Sequence, residues 1–299
     1  MTPGSSQPLP GPAVAQLVWV NGRAAGAVSA LERGLHFGDG LFETIACVGG
    51  RARFLQLHLQ RLAAGCARLG LAAPDEAILR AEVQQLAAPS ARAIIKVLLT
   101  RGAAASRGYA LTGSESPTRI SLRYAWPPED PGLAREGVRV RIAALRLGEN
   151  PALAGLKHCN RLEQVLARRE WTDSAIAEAL MFSSSGALIC GTMSNVFLVR
   201  DGRLYTPRVD RCGVAGIMRQ VVLAAAAGAG IATEERVLDL SDLEAADEVF
   251  LTNALIGIRP VRELDGRPLS PAGLTRRLQE RLAPLLEARA PSPEGAGGA

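Results

Sequence analysis

The largely apolar run from Val14 to Val20 is strand-like, and that from Leu41 to Val48 is β-prone. The turn signals Asn21-Gly22-Arg23 and Gly49-Gly50 close these runs, so the chain is expected to open as antiparallel strands. The Gly-rich stretch RGLHFGDG between them reads as a loop. In LQLHLQRLAAGCARLGL the apolar positions move to helical spacing and stop at Gly70, and a second helix is expected from Asp75 to Leu86. ARAIIKVLLTRG, rich in β-branched residues, predicts a buried strand followed by a loop through Tyr109, and RISLRYAW predicts another strand.

Trp126-Pro127-Pro128-Glu129-Asp130-Pro131-Gly132 is the strongest break in the pattern, because proline removes backbone donors and restricts the residue before it. Beyond it VRVRIAALRL alternates as a half-buried strand, and HCNRLEQVLARREW reads as a helix. EALMFSSSGALICGTMSNVFLVRDGRLYTP reads as a strand meander with a hairpin at Asp201-Gly202. Helices are expected from Gly213 to Ala227 and from Leu274 to Ala288, with a strand in AADEVFLTN. The expected class is α+β, each half combining antiparallel strands with helices. The expected organisation is a tail over 1–13, a domain over 14–125, a linker over 126–134, a second domain over 135–288 and a tail over 289–299.

The 299 residues are 48% apolar, enough for two ordinary cores and incompatible with a disordered or fibrous chain. No apolar run approaches the eighteen or so residues of a spanning helix, and the first dozen residues lack the basic start and apolar stretch of a secretory signal. Five widely spaced cysteines, Cys47, Cys66, Cys159, Cys190 and Cys212, form no CxxC pair, which fits a reducing cytoplasm and argues against a metal site. The net charge of +5 is a modest excess that suits nucleic acid, anionic lipid or a small polyanionic substrate, and no dense basic run decides for either of the first two. Lys96 and Lys157 are the only lysines among 34 basic residues, so chemistry that needs an amine has two candidates. Lys96 lies within a strand, whereas Lys157 sits between a loop and a helix, where a cleft can desolvate the amine and lower its pKa. Lys157 is the better candidate.

HFGDGLFET, HLQRL, TRGAAASRGYA, LKHCNRLEQVLARRE, GTMSNVFLV, PRVDRCGVAGIMRQ and TNALIGIRPV follow one another in this order. In order and spacing they resemble the class IV pyridoxal-phosphate enzymes, over about Val18 to Leu285. Within that family the resemblance is to the branch that converts 4-amino-4-deoxychorismate to 4-aminobenzoate and pyruvate in folate biosynthesis. It implies a homodimer of the two-domain fold-type IV architecture, like D-amino acid aminotransferase, with pyridoxal 5'-phosphate between the domains. Lys157 then matches the lysine that joins the cofactor and moves protons. Arg61 matches the phosphate-binding arginine, a role suited to a fixed guanidinium fork. Gly216 and Ile217 match the helix start that cups the same phosphate. Ser194 and Asn195 fall in the cofactor-side strand motif, and Asn253 and Ala254 match the other phosphate-side turn. Arg107 and Tyr109 match the loop that takes a substrate carboxylate, with Arg101 as an alternative, and His36 with Phe37 lines the site. His58 reads as a packed helix histidine.

Many family members carry glutamate where this chain has Cys190, its carboxylate pairing with the pyridine nitrogen. A thiol there implies a poorer electron sink, which favours a lyase driven by aromatisation over transamination. The rival expectations are a class IV aminotransferase for branched-chain or D-amino acids, which would respond to 2-oxoglutarate, and a non-catalytic anion-binding protein with steep salt dependence.

Overall fold

The computed structural model describes residues 15–104, 107–128, 130–270 and 273–287. The expected tails, 1–13 and 289–299, lie outside the described residues. Two sheets carry the architecture. The first, six-stranded and wholly antiparallel, comprises β1 (Leu17–Val20), β2 (Arg23–Ala24), β3 (Gly40–Val48), β4 (Arg51–Ala52), β5 (Arg92–Thr100) and β6 (Thr118–Ala125), in the order β2-β1-β6-β5-β3-β4. Helices α2 (Leu55–Leu69) and α3 (Glu76–Ala87) cover one of its faces. Leu55, Leu59, Leu62 and Cys66 form the buried stripe of α2 and pack with Ile45, Cys47, Ile95 and Val97 from the sheet. Asp75 caps α3 by accepting from the Ala77 N–H at 2.7 Å, and α2 ends at left-handed Gly70.

The second sheet has nine strands: β7 (Val138–Leu147), β8 (Ile176–Ser183), β9 (Leu188–Gly191), β10 (Asn195–Arg200), β11 (Arg203–Pro207), β12 (Thr233–Arg236), β13 (Glu248–Asn253), β14 (Gly257–Leu264) and β15 (Arg267–Pro268). Its order is β12-β11-β10-β13-β14-β7-β8-β9, with β15 on β14. α6 (Ile217–Ala227) and α8 (Leu274–Leu286) pack on β10 and β13, where the rings of Phe197 and Phe250 stack at 4.9 Å.

The α+β class is observed, and antiparallel pairs occur in both halves as expected; the second sheet adds parallel pairs that were not expected. β7 runs parallel to β8, β11 to β12 and β14 to β7. Two of these pairings follow from crossovers through helices, α5 (Leu162–Arg168) for β7–β8 and α6 for β11–β12, a connection that parallel neighbours require. The expected meander is also broken, because β9 and β10 are not ladder neighbours. The tight turn in which Gly191 N donates to Ser194 O moves the chain across the curled sheet, while Leu188 N donates to Leu238 O near β12.

Other differences have local causes. The helix expected from His158 begins only at Leu162, since 157–159 pair with β3, and the helix expected from Gly213 begins at Ile217, since Gly213 and Ala215 bond to Gly155. The Gly-rich loop contains α1 (Arg33–Phe37), which ends at Gly38 with φ 64°. The proline-rich break contains α4 (Pro131–Glu136), where proline stands in the first turn and needs no donor. α7 (Leu240–Glu244) carries an Asp239–Asp242 capping box.

Candidate functional site

The segment around Lys157 is stitched to both halves of the chain. Phe42 N donates to Lys157 O and Cys159 N to Gly40 O, each at 2.9 Å, so residues 157–159 extend the open edge of β3. On the other side Gly155 N donates to Gly213 O and Ala215 N to Gly155 O, each at 3.0 Å. The turn before β3 sits so close to this segment that a Cβ on Gly38 would fall 2.2 Å from Asn160 Oδ1, a second reason besides its positive φ for glycine there. Lys157 Nζ rests 4.2 Å from the centre of the Phe42 ring. Burial brings its pKa down to about 8; the Arg61 guanidinium acts in the same direction, Glu43 opposes, and Arg161 and Lys96 add smaller repulsions.

Arg61 projects from α2 toward the loop before α6. Its Nε and Nη2 donate to the two oxygens of Glu43 at 2.8 and 2.5 Å, and its Nη1 donates to Ala215 O at 2.9 Å. Glu43 also accepts from Nδ1 of His58 at 2.6 Å. Burial alone would raise the Glu43 carboxyl, but the hydrogen bonds from His58 and Arg61 outweigh it and bring the pKa down to about 2. Arg61 is thus fixed in orientation beside the N-terminus of α6. That helix has Gly216 at its cap and no side chain bonding its first amides, which leaves them to an anion. Asn195 Nδ2 donates to Val214 O at 2.9 Å, and a Cβ on Gly216 would meet Asn195 Oδ1 at 2.0 Å, so glycine lets the loop approach β10.

Glu178 of β8 organises the turn that carries Ser194. The backbone N–H groups of Thr192 and Met193 donate to it at 3.0 and 3.1 Å, Ser194 Oγ at 3.1 Å, and Thr192 Oγ1 as well. Asn253 spans two turns: its Oδ1 accepts from Leu255 and Ile256 N–H at 2.9 and 3.0 Å, and its Nδ2 donates to Met193 O at 3.2 Å. Its carboxamide is therefore occupied with holding the loop that contains Ala254. Cys190 is buried among Ala143, Ala179, Met181, Ile189 and Cys212, and burial pushes its thiol up to about 12. Burial, with Arg161 alongside, takes His158 down to about 4; its Nε2 accepts from Arg161 Nη2 at 2.6 Å.

A second group gathers at the turn after α1. Burial pushes Asp39 up, but Arg101 and Arg33 hold it below the usual carboxylate range; Arg101 Nε bonds it at 2.8 Å and Arg33 Nε at 2.9 Å. Arg101 also donates to the carbonyls of Leu69 and Gly70 at 2.8 Å, so most of its fork is committed. Arg33 in turn donates to the carbonyls of Gly108 and Tyr109 at 3.3 and 3.1 Å, while the Phe37 and Tyr109 rings lie 5.1 Å apart. Arg107 is exposed on this pinned loop and has no ion-pair partner among the described residues. His36 is exposed, with its Nε2 2.7 Å from Ala30 O.

The structure thus brings Lys157, Arg61, Asn195 and Gly216-Ile217 to one junction, with Ser194, Asn253 and Ala254 on the adjoining turns. His36, Tyr109 and Arg107 lie apart, and no hydrogen bond or ring contact among the described residues joins them to Lys157. Sequence reasoning missed Glu43, Phe42, Arg161 and Glu178. Glu43 had a legible signal, being the one charge on the strand face otherwise made of Leu41, Ile45 and Cys47. No group of metal-ligating side chains and no helix able to cross a membrane occurs among the described residues.

Comparison with known proteins agrees with this arrangement. The profile described as amino-transferase class IV matches residues 40–264. An aminodeoxychorismate lyase of Vibrio harveyi is 34% identical, over 89% of this chain and 99% of its own length. A putative branched-chain-amino-acid aminotransferase of Methanocaldococcus jannaschii is 31% identical, over 85% of this chain and 89% of its own. The crystal structure of 4-amino-4-deoxychorismate lyase from Pseudomonas aeruginosa superimposes with a TM-score of 0.87 at 45% identity, covering 91% of this chain and all of that one. The resemblance read from the sequence motifs is therefore upheld, and the chain belongs to the class IV amino-transferase family.

Proposed function

We propose that this protein is a pyridoxal-phosphate-dependent carbon–oxygen lyase that converts 4-amino-4-deoxychorismate to 4-aminobenzoate and pyruvate in folate biosynthesis. The observation that carries the reading is the Lys157 amine, brought down to about 8 and set beside an oriented Arg61 and an uncapped helix start. The residues fit the cofactor. Arg61 and the Gly216-Ile217 amides present N–H donors suited to a phosphate ester, and Lys157 offers an amine whose unprotonated fraction at neutral pH, about a tenth, is far above that of an ordinary lysine. When bound, pyridoxal phosphate supplies an electron sink conjugated to the substrate's amino nitrogen.

The chain's own residues divide the remaining work. Lys157 Nζ takes the proton from C4 of the substrate ring and returns a proton to the methylene carbon of the departing enolpyruvyl group, which leaves as pyruvate as the C–O bond breaks and the ring becomes aromatic. Arg107 holds a substrate carboxylate, the role left to it because Arg101 is committed to Asp39 and to two carbonyls. Glu43 keeps Arg61 aimed, and the Glu178 cradle keeps Ser194 and Asn195 in register. The neutral thiol of Cys190 supports lyase chemistry over amino transfer, because it offers no charge to stabilise a protonated pyridine.

The reading extends to a cytoplasmic homodimer with a domain boundary over 126–134. Support for a second copy comes from exposed apolar residues, Leu31, Leu35, Tyr109 and Leu111 on one side and Leu162 on α5; light scattering of the eluted protein checks it. The activity is tested by supplying chorismate, glutamine and an aminodeoxychorismate synthase and following both products. Equal release of 4-aminobenzoate and pyruvate that disappears in Lys157→Ala is the expected result, and full turnover in that variant overturns the assignment. A second reading is transamination of branched-chain or D-amino acids, its branched-chain form supported by the similarity to the M. jannaschii protein, and product formation only with 2-oxoglutarate and an amino donor would reveal it.

A further inference from the structure

Phe42 and Lys96 lie on the face of the first sheet opposite α2 and α3. Their strand neighbours Leu41, Ile45, Ala93, Ile95 and Val97 are the ones buried beneath those helices. Lys96 of β5 is paired with Thr44, two residues along β3 from Phe42, which places it diagonally across the ladder. Its Nζ lies 5.2 Å from the centre of the Phe42 ring, and Lys157 Nζ lies 4.2 Å from the same centre. The two lysines of the chain therefore share one aromatic ring. Lys96 has no hydrogen bond or salt bridge among the described residues, so no carboxylate neutralises it.

We propose that Lys96 is a positioning residue that acts through electrostatics, its unpaired ammonium on the Phe42 ring opposing a second positive charge on Lys157 and so keeping that amine available as nucleophile and base. Two nitrogens this close to one ring centre cannot be farther apart than the screening length of about 10 Å in 0.1 M salt, so the repulsion survives ordinary buffer. The other groups that reach Lys157 are Glu43 on β3, which favours its charge, Arg61 on α2, which disfavours it, and Arg161 within its own segment, which disfavours it too. His158 and Cys159, its chain neighbours, are neutral near pH 7. Glu43 is shared with Arg61 and His58, which leaves the cations around Lys157 in excess.

The inference rests on the reading that Lys157 supplies the working amine, and its test does not require turnover. With only two lysines, competitive acetylation of the full-length, cofactor-free chain followed by mass spectrometry reports the protonation midpoint of each without overlap. Lys157 in the unmodified protein is expected to titrate near 8. In Lys96→Met the midpoint should rise by about 0.3–1 pH unit, the span given by effective permittivities between that of water and that of a protein edge. Lys96→Arg, which keeps the charge, should hold the original midpoint, and added salt should shrink the difference between the two variants. Lys96→Gln serves as the neutral variant should methionine disturb the sheet. An unchanged Lys157 midpoint in a folded neutral variant overturns the proposal, as does Lys96→Arg titrating like Lys96→Met. A raised KM with the midpoint unmoved would make Lys96 a direct substrate contact instead, and also overturns it. Failure of the underlying reading is separate, and shows as turnover surviving in Lys157→Ala.

Discussion

Glu43→Gln removes one charge and no volume from the group that aims Arg61. In the native protein the carboxylate is buried, accepts two bonds from Arg61 and one from His58, and titrates at about 2 instead of the ordinary 4.5. A depression of that size corresponds to about 3 kcal/mol of folding stability at about 1.4 kcal/mol per pH unit. The folded value lies below the unfolded one, so this stability is fully present above about 4.5 and is lost as the pH falls through about 2. A glutamine retains one acceptor but turns an amide donor toward a donor of Arg61 or His58, leaving the guanidinium partly uncompensated. Breaking a buried pair in this way costs about 3–5 kcal/mol, in line with the linkage figure. The assay is urea unfolding of the cofactor-free protein at a series of pH values from neutrality into acid, wild type against Glu43→Gln. The variant should be less stable by about 3 kcal/mol near pH 7, and the gap should close steadily with acid as the wild-type carboxylate takes up its proton. A gap below about 1 kcal/mol at neutrality, or one that stays constant down the acid limb, refutes the argument that Glu43 is an ionised, paired anchor.

Arg101→Ala and Arg107→Ala should separate stability from binding. The first loses bonds to Asp39, Leu69 and Gly70 and should lower the urea midpoint. The second should leave stability unchanged and raise KM about 10- to 100-fold, the loss of one charge-assisted contact to a carboxylate; steady-state kinetics beside unfolding curves decides it. Gly216→Ala places a methyl against Asn195 and should weaken pyridoxal-phosphate binding about tenfold or more, read by equilibrium titration of the apoprotein. Cys190→Glu puts a carboxyl beside the buried Glu178 and should both destabilise the apoprotein and raise amino transfer to 2-oxoglutarate relative to lyase turnover; no gain with any amino donor would count against a role for the thiol in reaction choice.

How much of this was legible in the sequence depends on the range of the interactions involved. α2 with its stop at Gly70, α3 with its Asp75 cap and the β5–β6 pair follow from local periodicity and turn chemistry, which is why their bounds fall within a residue or two of expectation. The parallel pairings of β7, β8 and β14 were not legible, because strand direction is set by the crossover through α5 for β7–β8 and by a separation of more than a hundred residues for β7–β14. The same holds for residues 157–161. Their apolar spacing continues smoothly into α5, yet the backbone of 157–159 is extended, since ladder bonds to Gly40 and Phe42 outcompete one more helical turn. The motif order pointed to Lys157 and Arg61 but not to what sets their properties. Phe42 and Lys96 look like ordinary members of alternating strands, and only the β3–β5 register shows that both lysines meet one ring.

That Lys157 is built into the seam between the two sheets bears on how its chemistry is controlled. An amine on one rigid element would keep its environment whatever the rest of the chain did. Lys157 is held by β3 through the Phe42 and Cys159 bonds, while the loop before α6 is tied to Gly155 on one side and to Arg61 on the other. Arg61 therefore touches both the carboxylate that anchors it in the first sheet's layer and the carbonyl that leads into the phosphate-accepting helix start. Any shift of one half relative to the other must alter the Arg61–Ala215 bond and the cationic field at Lys157 together, because the same guanidinium carries both. An anion seated between Arg61 and the α6 amides would draw on the charge that now disfavours a proton on Lys157, so filling that position and setting the basicity of the amine are linked through one side chain.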